Sequence, residues 1–176
     1  MKKLPGLAYL TILAAALAVI FLLGPRLPEQ VATHFTVAGT PDSWMTRERA
    51  VWSFAAFAAG ISAFIPALSF LIRFLPADLL NVPRKDYWRL PENYPKACED
   101  LLRWSFGIAA LSVIFVSGCF LLLVRANRIS PPALSSATVG GLAAIYLGVL
   151  AIGIVQLTRH FSSRPANDGI RDHDGT

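Results

Sequence analysis

Long apolar runs dominate this chain, and four of them contain no charged side chain over about 20 residues each. A helix of about 20 residues rises about 30 Å, which is the thickness of the hydrocarbon core of a bilayer. The runs therefore predict four transmembrane helices, at Leu4–Leu23, Val51–Ile72, Trp104–Val124 and Leu134–Leu157. The predicted fold class is an all-α membrane protein with a structured extracytoplasmic loop after the first helix. Its membrane domain spans residues 1–161, and the polar tail at 162–176 is predicted to be disordered.

Residues that flank the apolar runs indicate where the helices begin and end. Thr46 is suited to cap the second helix, which should start before Val51. Tyr94-Pro95 places a proline in the first turn of the third helix, so that helix should begin well before its apolar run. The polar turn from Arg125 to Pro132 is short, so the third and fourth helices are expected to be adjacent and antiparallel.

Composition supports a membrane protein. The chain is 55% hydrophobic, and 15% of its residues are charged, against about a quarter in soluble domains. The net charge of +5 does not suggest nucleic acid, because the basic residues lie at span ends and form no basic stripe with interleaved aromatics. We expect the lipid bilayer as a partner and no nucleic acid.

The same basic residues predict the orientation in the membrane. If the N-terminus is cytoplasmic, only five of the 16 lysines and arginines lie outside, namely Arg26, Arg47, Arg49, Arg125 and Arg128. The positive-inside rule favours that arrangement. A cleaved signal peptide is less favoured, because Gly24-Pro25-Arg26 follows the first run in place of a small-x-small cleavage site. The predicted location is the cell's inner (plasma) membrane, with both termini cytoplasmic.

The loop after the first span has a pattern of its own. Apolar and polar residues alternate from Gln30 to Val37, which predicts a short strand, and Ala38–Asp42 has the composition of a turn. His34 is the one residue of this loop that titrates near neutral pH. Two interpretations stay open: the loop is a functional surface, or it only closes the helix bundle.

The loop between the second and third spans is basic and aromatic. Arg84, Lys85 and Arg89 can meet anionic lipid headgroups while Tyr87 and Trp88 lie at the membrane interface. The alternative is a docking site for a cytoplasmic partner.

These two loops resemble a known family. Leu27-Pro28, Thr33-His34-Phe35, Ala38-Gly39 and Pro41-Asp42-Ser43-Trp44 together resemble the signature of bacterial membrane proteins that carry domain of unknown function 1648. The stretch Asn81–Trp88, followed by Pro91-Glu92, resembles one that often follows it, and the resemblance covers roughly Leu4 to Leu123. A related group, the sporulation-delay toxin immunity family, shares the first loop. Its members protect against a peptide toxin and can tether a repressor at the membrane, but this chain lacks that group's further spans.

No motif in the chain indicates catalysis, and no set of residues has metal-ligand spacing. The four runs hold no acidic, basic or histidine side chain, which argues against a proton-coupled pump. We therefore expect no enzyme activity, no cofactor and no metal. The predicted function is a sensor, immunity or interaction protein whose outer loop contacts an extracytoplasmic ligand. The alternative is a small-solute transporter or accessory membrane subunit, and a membrane enzyme ranks third.

The candidate binding residues follow from the two loops. At the outer loop, where we expect a protein or peptide ligand, they are Thr33, His34, Phe35, Gly39, Pro41, Asp42 and Trp44. At the inner loop, under the alternative of a cytoplasmic partner, they are Asn81, Pro83, Asp86, Tyr87 and Trp88.

Overall fold

Five α-helices and one β-hairpin make up the described part of the chain. The computed structural model describes residues 4–163, so the predicted tail lies almost entirely outside the described residues. The elements, in chain order, are α1 (Leu4–Leu23), β1 (Gln30–Phe35), β2 (Pro41–Thr46), α2 (Arg47–Leu71), the single-turn α3 (Lys85–Trp88), α4 (Tyr94–Ala126) and α5 (Ser136–Ser162). Four of these helices, α1, α2, α4 and α5, are long and apolar enough to cross a membrane. The prediction of a mostly helical protein with four such helices is confirmed.

The helix ends follow the local sequence. The Thr46 hydroxyl accepts a hydrogen bond from the backbone N–H of Arg49 at 3.4 Å, so Thr46 caps α2 as predicted. Helix α4 begins at Tyr94 with Pro95 in its first turn. Helix α5 continues past the predicted apolar run to Ser162. The prediction ended earlier because hydropathy identifies the part of a helix that suits lipid and does not identify the end of the helix.

The hairpin corrects the predicted loop structure. Strand β1 was predicted, but β2 pairs with it antiparallel and was missed, because Pro41–Thr46 shows no apolar alternation. The turn was predicted at Ala38–Asp42, whereas the structure places it at Thr36–Thr40, where Thr36 N–H donates to the Thr40 carbonyl at 2.8 Å. Pro41 and Asp42, which were expected in the turn, therefore belong to β2.

Helix α4 is the centre of the bundle and contacts α1, α2 and α5. The larger core lies where α1, the hairpin, α2 and α4 meet, with Phe54 and Phe120 rings 5.2 Å apart. Its fully enclosed members include Ile20, Val31, Ala50, Ala58 and Phe120. At Gly24 the chain passes so close to α2 that an added Cβ would lie 2.6 Å from a Val51 methyl, so only glycine fits there.

The bundle has two distinct ends. The hairpin and the turn between α4 and α5 lie at one end, which we call the hairpin end. Residues 72–93, the start of α4 and the last turns of α5 lie at the other, which we call the Trp88 end. A second, smaller core of Leu80, Trp88, Ala97 and Phe161 fills the Trp88 end.

Helix α5 is the least embedded of the four long helices. None of its most apolar 18-residue window is buried within the protein, against 39% of the corresponding window of α4. One of its contacts in mid-span is Tyr146, whose ring stacks on Phe115 at 4.5 Å and whose hydroxyl lies 3.2 Å from that of Ser112. The exposed remainder is apolar, which suits contact with lipid.

Candidate functional site

The β-hairpin holds most of the candidate residues predicted from the sequence, and its turn is set by the backbone. Gly39 has φ +84, a conformation that side chains with a Cβ rarely adopt. Its N–H donates to the Thr36 carbonyl at 2.9 Å. The Thr36 and Thr40 hydroxyls lie 2.8 Å apart and form a further hydrogen bond across the turn.

The register of the hairpin shifts twice, between Ala32 and His34 and between His34 and Phe35. Such bulges bend a strand and re-aim its side chains. Here they bring His34 beside Asp42, with Nδ1 and Oδ1 2.5 Å apart. The two side chains are 71% and 43% exposed, so this hydrogen-bonded pair faces solvent.

A buried amide fastens the hairpin to the end of α4. The Asn127 side chain accepts a hydrogen bond from Ala32 N–H at 2.8 Å and donates to the Ala32 carbonyl at 2.9 Å. It also donates to the Leu123 carbonyl at 3.0 Å. The amide thus satisfies both backbone groups of a fully buried strand residue, as a neighbouring strand would.

Sequence reasoning missed Asn127 as a structural residue. It appeared only as part of a polar turn, and its partner is 95 positions away in the chain. A polar amide just past the end of a long apolar helix was the one available sign, because buried amides require partners.

The turn of the hairpin also contacts the start of α5. Leu134 N–H donates to the Gly39 carbonyl at 3.0 Å, and the Ser136 hydroxyl donates to the Val37 carbonyl. An added Cβ on Gly39 would lie 2.5 Å from the Leu134 carbonyl oxygen. This glycine is therefore required for its φ and also for the close approach.

The predicted outer-loop residues divide into two groups. His34, Asp42 and Trp44 are exposed, with Trp44 at 48%. The others face the protein to different degrees: Thr33, Phe35 and Pro41 are half-buried, and Gly39 is buried. Val37, which was not among the candidates, is 91% exposed at the turn. The structure brings His34 and Asp42 into contact.

An open groove of about 460 Å³ lies between the hairpin turn and the junction of α4 and α5. Arg125 supplies a positive charge, and Ser135 and Thr138 supply hydroxyls. The rest of the lining is Ala38, Gly39, Leu122, Ala126, Ile129, Ala133 and Leu134. Such a groove combines an apolar floor with a few polar groups, as ligand sites commonly do.

The second set of candidates lies at the Trp88 end and is more enclosed. Trp88 is 1% exposed, and its indole N–H donates to the Phe161 carbonyl at 2.9 Å. The ring was expected at the membrane interface but is instead packed between the inner loop and α5. Of its neighbours, Asn81 and Asp86 are exposed, whereas Pro83 and Tyr87 are half-buried.

The backbone of this inner loop is held by side chains. Arg89 was expected to meet headgroups, but its guanidinium donates to the Leu80 carbonyl at 3.1 Å and to the Asp78 carbonyl at 2.5 Å. The Tyr94 hydroxyl lies 2.7 Å from the Ile72 carbonyl oxygen and 2.9 Å from that of Leu75. Arg84 and Lys85 remain exposed, so they are the basic groups of this loop that can reach lipid.

Several hydroxyl groups within the spans bond to each other or to the backbone. The Tyr9 hydroxyl donates to the Ser62 carbonyl at 2.8 Å, and Ser112 pairs with Tyr146. A shallow groove of about 130 Å³ between α4 and α5 has an apolar lining that includes Trp104, Leu111 and Leu150. In residues 4–163, no group of three or more His, Cys, Asp or Glu residues could hold a metal ion.

The comparison with protein families identifies one segment. Residues 11–59 match the family model described as "Domain of unknown function (DUF1648)". That segment runs from within α1, through the hairpin, to the middle of α2, and it is under a third of the chain. This match supports that part of the resemblance.

The rest of the resemblance has no such support. The stretch Asn81–Trp88 lies outside the matched residues. No curated protein and no solved structure matches the chain. The relation to the sporulation-delay toxin immunity family therefore stays a prediction.

Proposed function

We propose that this protein is a non-enzymatic sensor, immunity or interaction protein of the bacterial inner membrane, and that its hairpin end faces an extracytoplasmic ligand. The observation that carries the proposal is the exposed face of the hairpin. There, Val37, Trp44 and the His34–Asp42 pair project from a backbone that is held from behind by Asn127 and the start of α5. A loop that only joined two helices would need neither this exposed set of side chains nor a backbone held in place by other elements.

The chemistry of the hairpin end favours a protein or peptide ligand. Exposed aromatic and aliphatic side chains beside a few charged groups are typical of protein contact surfaces. The adjoining groove adds an apolar floor and the Arg125 guanidinium, which suits a peptide segment with an acidic or carboxylate group. The resemblance to the toxin immunity family points to the same class of ligand.

The Trp88 end is proposed to lie in the cytoplasm. Its exposed side chains include Asn81, Arg84, Lys85 and Asp86, which suit anionic lipid or a cytoplasmic protein. The alternative function, a small-solute transporter or accessory subunit, has less support, because the span hydroxyls described above already have partners.

Topology is the first test. In a background that lacks Cys98 and Cys119, Thr40→Cys should react with an impermeant thiol reagent in intact spheroplasts, and Asn93→Cys should react only after lysis. The opposite labelling pattern would place the hairpin in the cytoplasm and refute the proposal.

Complementation is the second test. A strain that lacks the gene is screened against membrane-active peptides, and the wild-type gene should restore growth. Val37→Asp and Trp44→Asp should abolish rescue while leaving protein levels intact, because they place charge on the contact surface. The matched control is Glu99→Gln, which removes an exposed ion pair with Arg103 at the Trp88 end and should rescue fully. Full rescue by both hairpin variants would show that the exposed face is not the functional surface.

A further inference from the structure

Helix α5 is attached firmly at its two ends and loosely between them. At the hairpin end, the Ser136 hydroxyl and the Leu134 N–H donate to carbonyls of the hairpin turn. At the Trp88 end, the Phe161 carbonyl accepts the indole N–H of Trp88. Both loops that resemble the known family are therefore in contact with the same helix.

The attachment at the Trp88 end includes an aromatic cluster and a hydrogen-bonded histidine–aspartate pair. The rings of Trp88 and Phe161 are 5.0 Å apart, edge to face, and His160 stacks beside Trp88 at 6.2 Å. The His160 ring also forms a hydrogen bond with Asp100 of α4, with Nε2 and Oδ2 2.9 Å apart. Two consecutive residues of α5 thus hold α3 and α4 together.

The helix between these attachments is continuous. It has 27 residues, or about 40 Å of length, and no proline interrupts it from Ser136 to Ser162, so a displacement at one end can be carried along its axis. Its most apolar window has no buried residue, so little packing resists a small shift against lipid. Tyr146, against Phe115 and Ser112, and Leu142, against Gly118, are mid-span contacts about which such a shift can occur.

We propose that α5 couples the two ends of the protein, so that loosening its attachment to the hairpin turn also loosens the Trp88 segment, and the reverse. A ligand that displaced the hairpin turn would alter the Val37 and Gly39 contacts with α5 and thereby the contacts of His160 and Phe161. Such coupling is reciprocal by thermodynamic necessity. Its use as a signal rests on the proposed function, whereas the coupling itself exists without a ligand.

Hydrogen exchange of the full-length protein in lipid nanodiscs, without ligand, tests the coupling. Trp88→Phe keeps an aromatic ring but removes the indole N–H. It should raise exchange of the Leu134 amide, at the opposite end, by about threefold or more, because the bond of that amide to Gly39 opens more often. In the other direction, Ser136→Ala should raise exchange of the Trp88 and Arg89 amides.

The matched control is Tyr94→Phe. It removes the hydrogen bonds to Ile72 and Leu75 at the same Trp88 end but leaves the ring in place against the small core that contains Trp88 and Phe161, so Leu134 exchange should not change. If Trp88→Phe lowers the folded yield, Asp100→Asn serves in its place, because it weakens the His160 pair and leaves the rings packed. The proposal is overturned if neither Trp88→Phe nor Asp100→Asn changes Leu134 exchange. It is also overturned if Tyr94→Phe changes Leu134 exchange to the same extent. Because no ligand is used, a failure of peptide rescue would leave this result standing.

Discussion

The hairpin and the Trp88 segment are both ordered loops, but opposite kinds of interaction hold them. The hairpin is shaped by backbone hydrogen bonds and by one amide from outside, Asn127, so most of its exposed side chains are not needed to define its shape. The Trp88 segment is shaped by its own side chains, with Trp88 and Arg89 bonded to carbonyls. A loop of the first kind can present side chains to a partner, whereas a loop of the second kind has used its largest side chain for packing.

Replacing the tryptophan of each loop should show this difference most strongly. Trp88→Ala removes a buried ring and its hydrogen bond, so the expected loss of unfolding free energy is about 3–5 kcal/mol. Trp44→Ala removes a half-exposed ring and should cost less than half as much. Thermal unfolding in detergent micelles measures both. Equal losses would contradict the division between a packing loop and a presenting loop.

The next largest effect is expected at Asn127. Asn127→Ala removes three hydrogen bonds and leaves the buried N–H and carbonyl of Ala32 without partners, at a cost of about 2–3 kcal/mol. Asn93→Ala is the control, because it removes a single amide bond, to the Tyr87 carbonyl at 3.1 Å, and should cost about 1 kcal/mol. The midpoints of thermal unfolding should keep this order. If they do not, Asn127 does not anchor the hairpin.

A smaller effect is expected at the hairpin turn. Gly39→Ala should cost about 1–2 kcal/mol, because alanine disfavours φ +84 and its Cβ would press on the Leu134 carbonyl. Gly148→Ala, in α5, has open space around it and should be neutral or stabilise by up to about 1 kcal/mol, the helix propensity difference. Similar losses for both variants would mean that the turn is not tightly held.

The smallest effect on stability is expected at the His34–Asp42 pair. His34→Ala and Asp42→Ala should each change the unfolding free energy by less than about 0.5 kcal/mol, since exposed ion pairs contribute little. The measurement is the same thermal unfolding, at pH 6 and pH 8. A loss comparable to that of Asn127→Ala would make this pair part of the scaffold and would remove it from the presenting surface.

Much of the architecture could be predicted from local sequence. The four long helices follow from apolar runs, since lipid requires that each span satisfy its own backbone hydrogen bonds. The Thr46 cap and the early start of α4 at Tyr94 follow from residues next to the helix ends. Strand β1 follows from its alternation, and the resemblance to a known domain follows from the motifs of the hairpin.

The partners of those elements were decided only by the tertiary structure. Strand β2 carries no alternation, and pairing with β1 is what makes it a strand. Asn127 and Ala32 are far apart in the chain, as are Trp88 and Phe161, so local patterns contain no information about either contact. The sequence determined which segments cross the membrane, because that depends on the composition of each segment alone. Which side chains present a surface and which hold the fold together depends on long-range packing, and only the folded chain shows that Trp88 belongs to the second group.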